Sequence, residues 1–163
     1  STIKGDSLPV NNVSWEDCQT FITKLNALTG LYFRLPTEAE WEFAARGGNK
    51  SKDFVYAGSD NIDEVAWHIG NSGNMTHPVA TKQPNEIGIY DMSGNVFEWC
   101  QDWYGSYASS SQTNPTGPAS ASRRVLRGGS WDYGASLCRV SYRRFSDPSN
   151  RSNSNGFRLV LVP

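Results

Sequence analysis

Soft-ligand chemistry in this chain could come from three cysteines, Cys18, Cys100 and Cys138, and two histidines, His68 and His77. The thiolate form of cysteine is the metal ligand and nucleophile. Three thiols so scattered are too few for a disulfide framework or a cysteine-rich zinc site. The odd count leaves at least one of them free or paired with another chain. Cys138 also reads as a small buried thiol, which is the commoner use of a free cysteine. His68 and His77 stand nine apart in an Asn/Gly-rich stretch and read as surface loop residues. The remaining candidates are cationic. Eight of the fifteen basic residues are arginines between Arg123 and Arg158, and no Lys, Glu or Gln follows Arg123. Arginine donates from a planar fork, so this cluster either pins irregular loops or forms an anion-binding patch.

The elements that must position these residues are few. Ser14 with Glu16 and Asp17 behind it predicts a helix start. Cys18, Phe21, Ile22, Leu25 and Leu28 then make one apolar stripe that ends at Gly30. Thr37-Glu38-Ala39-Glu40 is a capping-box pattern for a second helix, running to about Arg46 and stopped by Gly47-Gly48. Residues 49–87 read as loop, with Val65-Ala66-Trp67 as an anchor, and residues 105–122 as a Ser/Pro/Gly/Asn loop. Short strand or turn pieces fall at Ile87–Tyr90 and Val96–Trp99, and strands at Arg124–Arg127 and Gly156–Leu161. Helices first and short strands later predict an α+β class with little regular secondary structure, pinned by six Trp.

Composition excludes several functions. At 163 residues the chain is expected to be one domain, residues 1–163. A net charge of −1 carries no basic excess for a nucleic-acid partner. No apolar run approaches the ~20 residues that span a bilayer, so no membrane span is expected. Ser1-Thr2-Ile3-Lys4-Gly5 is no signal peptide and lacks an initiator Met. The start therefore reads as trimmed, and the compartment stays unknown.

Several blocks, in order, carry a family resemblance. They are Pro9-Val10 with Val13-Ser14-Trp15, Arg34-Leu35-Pro36-Thr37-Glu38-Ala39-Glu40-Trp41-Glu42 with Ala44-Ala45-Arg46-Gly47-Gly48, and Asn85 through Met92. Gly94-Asn95-Val96-Phe97-Glu98-Trp99, Arg127-Gly128-Gly129-Ser130-Trp131 and Gly156-Phe157-Arg158 complete the series. Together they resemble the formylglycine-generating, or sulfatase-modifying factor, domain. The resemblance implies a C-type-lectin-like fold, and an opening portion shorter than is usual in the family.

It also implies chemistry. The family's oxidases hold copper(I) on two cysteines after the Gly-Gly-Ser-aromatic block, and soft thiolates suit that ion. Here the second falls on Cys138 and the first on Tyr133, so copper is not expected, and a copper oxidase using Cys138 stays as the alternative. A branch with three histidines around iron fails on ligand count. The resemblance places a structural calcium on Asp91, Gly94, Val96 and Glu98, two carboxylates and two backbone carbonyls, the hard-oxygen mix calcium takes. Asp91 and Glu98 could equally pair with Arg and cap turns. A further calcium site is lost at Val65, where an Asn side chain is expected.

Residues 132–155 show a frame, Cys138-Arg139-Val140, Arg143, Pro148 and Arg151, leading into Gly156-Phe157-Arg158. Between the frame positions stand Tyr, Ser, Asp, Arg, Phe and Asn. This resembles the variable region of proteins diversified by retroelements, placed here at residues 124–161, in which adenine-directed mutagenesis excludes Lys, Glu, Gln, Met and Trp. All 24 residues of the segment belong to the permitted set. Composition alone would give that about once in fifty. An ordinary Ser/Asn/Arg loop in a relative without diversification or catalysis is the other reading. Tyr and Ser supply rigid contact area and adaptable hydrogen bonds. The expected ligand-binding surface is Asp132, Tyr133, Ser136, Leu137, Tyr142, Arg144, Phe145, Ser146 and Asp147, with Trp131 and the arginines holding the loops. Its partner would be a protein or other macromolecule.

Overall fold

Ser14 and Thr37 open the two principal helices as their sequences predict. In the computed structural model, which describes residues 5–163, each hydroxyl accepts the amide at N3 while the N3 carboxylate accepts the cap amide in return. Ser1 to Lys4, most of the opening read as no signal peptide, lie outside the described residues. Helix α1 spans Trp15–Thr29 and stops at Gly30 in the left-handed region (φ 70°), where only glycine sits without strain. Helix α2 spans Glu38–Ala45. The expected stripe on α1 is narrower than its sequence suggests. Cys18 and Ile22 are buried, but Phe21 and Leu28 are exposed, Phe21 meeting Phe157 edge-on at the margin of the buried face.

The third helix, α3, is one turn, Ile62–Val65, within the loop region expected at 49–87. Val65 and Ala66 are buried there. The strands are β1 Tyr32–Arg34, β2 Phe97–Trp103, β3 Arg124–Arg127, β4 Arg143–Ser146, β5 Asn155–Gly156 and β6 Val160–Val162. The Ile87–Tyr90 piece is a turn, and residues 105–122 form the expected loop. The single strand expected at Gly156–Leu161 is divided between β5 and β6 by Phe157–Leu159. This lets the chain leave the main sheet and pair with β1. β1 and β4 carry too little apolar alternation to be read from sequence.

The main sheet runs β4-β3-β2-β5, antiparallel except for the parallel β2–β5 pair, and β1 and β6 form a separate two-stranded ribbon. Period-2 alternation on β2 gives the sheet two distinct faces. Phe97 and Trp99 join Cys18, Ile22, Leu35 and Leu126 on the α1 side, while Cys100 joins Trp41, Ala45, Met92, Val125 and Val140 on the α2 side. Two Trp side chains stitch loops to strands: Trp15 Nε1 donates to the Cys100 carbonyl and Trp99 Nε1 to the Val13 carbonyl. Arg124 lies between the Trp15 and Trp103 rings, 3.8 and 3.4 Å from their centroids.

Candidate functional site

The expected binding surface is built on β4, an edge strand, and on the turns before and after it. Its register is fixed from below. Arg127 on β3, fully buried, faces Arg143 on β4 across the ladder, and both converge on Glu38 at the first position of α2. Glu38 Oε1 accepts from Arg127 Nη1 at 2.7 Å and Arg143 Nε at 2.6 Å, and Oε2 accepts from Arg143 Nη2 at 2.6 Å. Arg127 also donates to Glu42 and to the Val140 carbonyl, and Arg143 to the Gly105 carbonyl. Burial opposes ionising Glu42, but Arg127 and Arg46 outweigh it and leave the carboxyl below its ordinary value. Glu38 is the hub of the site. From sequence it reads only as a first-turn acid, since nothing local announces that two arginines about a hundred residues downstream meet on it.

The other arginines divide by role. Arg151 forks onto Asp17 at 2.6 and 2.7 Å, tying the turn after β4 to the start of α1, and holds that carboxyl well below the usual range. Trp131 is fixed by its own amide on the Asn95 carbonyl and by Ser72 Oγ on its carbonyl. Arg139, expected in the frame, is exposed and makes no ion pair among the described residues.

The expected contact residues do not form one face. Tyr133, Tyr142 and Arg144 lie on the α1 side. Tyr133 meets Phe97 edge-on at 5.2 Å, Tyr142 packs against the same cluster, and the Arg144 guanidinium stacks 4.5 Å from the Tyr133 centroid. Phe145 lies on the α2 side, 4.5 Å from Tyr104 and beneath Arg123 at 4.6 Å. Ser136 is exposed and Leu137 half-buried in a 3₁₀ turn. Asp132 accepts from Ser130 Oγ, Ser146 Oγ from Asn150, and Asp147 from Ser149. Tyr133 and Tyr142 thus serve the core as well as the surface. A period-2 count on β4 would have separated Phe145 from Arg144, had that strand been legible.

Cys138 is buried behind Gly129, and burial pushes its thiol up to about 12. Cys18 is also raised to about 12, and burial pushes Cys100 well above its ordinary value. All three are free thiols, and Tyr133, at the position where the resemblance expects the first cysteine, packs against Phe97 and Arg144.

Three of the four residues expected to hold calcium, Asp91, Val96 and Glu98, line a cleft of about 460 Å³ together with Arg158, and Gly94 is not part of its wall. Glu98 Oε1 accepts from Arg158 Nη2, and Oε2 from Arg158 Nε and Trp41 Nε1. Asp91 Oδ2 accepts the Ala80 amide at 2.8 Å; burial, then the neighbouring Glu98, raises its carboxyl although Arg158 opposes them. Gly94, at φ 78°, lies so close to the Trp67 carbonyl that a Cβ would collide with it. This donor set fits a hard cation only in part. Asp91 has no ion-pair partner among the described residues, whereas Glu98 already serves Arg158 and Trp41. No three His, Cys, Asp or Glu side chains among the described residues converge as a metal cluster. His77 stacks on Trp67 at 3.7 Å and donates from Nε2 to the Ser72 carbonyl, while His68 pairs with Asp63.

Sparse helices, a curled and divided sheet, and long pinned loops define a C-type-lectin-like fold of the formylglycine-generating type. The family model for the sulfatase-modifying factor enzyme 1-like domain matches residues 2–162, and the chain belongs to that family. The structure superposes on Treponema denticola variable protein 1 with a TM-score of 0.91 and 35% identity, covering 96% of this chain and 72% of that one. In sequence it is 36% identical over 170 residues to the formylglycine-generating enzyme of Streptomyces coelicolor, covering 93% of this chain and 52% of the enzyme. It is 39% identical over 145 residues to the chaperone protein LppX of Paenibacillus barcinonensis, covering 78% and 49%. The chain spans about half the length of these two relatives.

Proposed function

We propose that this domain is a non-catalytic ligand-display module whose residues 132–155 form a diversified binding surface. The observation that carries the reading is the division of labour around β4. Paired Arg143 and Arg151 and buried Cys138 and Val140 supply the fold, while Arg144, Phe145 and Ser146 on the edge strand and Asp147 after it stand between them, with Ser136 exposed in the turn before. The likeness to a variable protein supports it, as does the segment's lack of Lys, Glu, Gln, Met and Trp. Sequencing sister loci tests it. Codons for Tyr133, Tyr142, Phe145 and Ser146 should vary together while those for Arg143 and Arg151 stay fixed; uniform codons at the first four would refute diversification.

The competing reading is a copper oxidase using Cys138, favoured by the likeness to formylglycine-generating enzymes. A two-coordinate copper(I) site needs a pair of soft thiolates, and Cys138 is offered without the second cysteine, Tyr133 standing in its place. Incubation with a Cys-containing sulfatase peptide, copper and oxygen separates the two; turnover abolished by Cys138→Ser would establish the enzyme. The same proposal keeps a structural calcium at the Asp91–Glu98 loop, where Asp91 and the Gly94 and Val96 carbonyls would hold the ion and Glu98 would be shared with Arg158.

A further inference from the structure

Four arginines near β4 have no carboxylate in ion-pair contact among the described residues: Arg139 in the turn before it, Arg144 within it, Arg123 beside its far end, and Arg124 on β3, which is held by the Trp15 and Trp103 rings and the Gln101 carbonyl and leaves the first three as candidates. Arg34, Arg46, Arg127, Arg143, Arg151 and Arg158 are all ion-paired. Arg144 and Arg123 instead rest on aromatic rings, Tyr133 and Phe145, one on each side of the sheet. Nearby carboxylates are engaged: Asp132 accepts from Ser130, and Asp147 accepts from Ser149 and feels Arg123 only at longer range.

β4 pairs with β3 alone, so its other edge is open. In an antiparallel ladder alternate residues turn both backbone groups toward the partner, and the intervening ones turn both away. Two of the four residues of β4 therefore present an N–H and a C=O outward. A cleft of about 730 Å³ under the 105–118 loop is walled by Arg143 together with Glu38 and Asp102, so on the α2 side of an added strand it gives room for uncharged side chains rather than acidic ones.

We infer that the open edge of β4 takes an extended acidic peptide segment as an added strand, its backbone pairing with β4 and its Asp or Glu side chains meeting Arg139, Arg144 and Arg123. This rests on the display reading and specifies its partner. Main-chain pairing supplies affinity in such complexes, and alternate side chains supply specificity. Unlike an apolar groove, Arg139, Arg144 and Arg123, placed before, within and beside the far end of the strand and on both faces of the sheet, select the sign of the partner's charge.

The test is selection of a random nonapeptide library on the full chain. Enriched peptides should be rich in Asp or Glu and poor in Pro. N-methylation at alternate backbone positions should weaken them about tenfold, and at intervening positions hardly at all. Arg139→Ser and Arg144→Ser should each weaken binding severalfold, while Lys24→Ser on exposed α1 should not; Arg139 is exposed and unpaired, so its replacement leaves the fold intact. Binders that are neutral or basic, or indifferent to N-methylation, would overturn strand addition. The display reading would survive that result if they were lost in Phe145→Ala. Enrichment only of peptides insensitive to every change within 132–155 would remove both.

Discussion

Replacing Glu38 should release β4 more than any change within the surface itself. Its carboxylate is shared by Arg127 and Arg143, and the three side chains are 8%, 0% and 15% exposed. Glu38→Leu leaves Arg127 with Glu42 and the Val140 carbonyl but strips Arg143 of its only carboxylate. Breaking a buried pair by removing one partner costs about 3–5 kcal/mol, because the other charge stays desolvated. Taking the lower end, since Arg127 keeps Glu42, about 3 kcal/mol corresponds to a fall in Tm of roughly 6–12 °C for a chain of this size. Glu38→Gln keeps the shape and one acceptor but turns an amide NH₂ toward a guanidinium, and should lose about half as much. Urea denaturation of wild type, both variants and the Glu38→Leu/Arg143→Leu double variant measures this. The double variant should be less destabilised than the two singles added together, since no unpaired Arg143 remains. A Glu38→Leu protein melting within about 2 °C of wild type would refute the reasoning.

Gly129→Ala should destabilise by about 3 kcal/mol, because the position has φ 79° and a Cβ would fall 2.5 Å from Cys138 Sγ. Thermal melting reads it directly. Asp17, lowered mainly by its hydrogen bonds from Arg151, and Glu40, lowered to about 2 mainly by those from Arg34, bind fewer protons folded than unfolded. Their stabilisation is therefore full above the ordinary carboxylate range of about 4 and is lost as pH falls toward 2. Urea midpoints should decline over that window and no higher on their account. Calcium at about 1 mM should raise the Tm, and Asp91→Ala should abolish the rise; no difference between calcium and chelator would remove the ion. Copper(I) titrated against a competing chelator should form no tight one-to-one complex, and a complex lost in Cys138→Ser would reverse that expectation.

Legibility followed locality. The Ser14 cap, the Thr37 capping box and the Gly30 stop were visible because cap and partner lie within a few residues, and the structure adds a second box at Ser14–Asp17. The site was legible as a segment, since its frame spacing and composition are properties of the sequence alone. Its geometry was not. β4 has the pattern Arg-Arg-Phe-Ser, with no apolar alternation, and becomes a strand because Arg127 and Arg143 share Glu38. Leu28 shows the reverse failure: a good helical stripe residue left exposed, because β1 meets the end of α1 on the Asn26 side instead.

The two faces of β4 have unequal freedom to change. A new residue at Tyr133 or Tyr142 must first satisfy the packing around Phe97, so folding screens it before any ligand does. At Phe145 the neighbours are the Tyr104 ring and the Arg123 guanidinium at the rim, and at Ser136 open solvent, so folding screens these positions far less than recognition does. Variants recovered from such a module should accordingly be lopsided, conservative on one side of a single strand and unrestrained on the other.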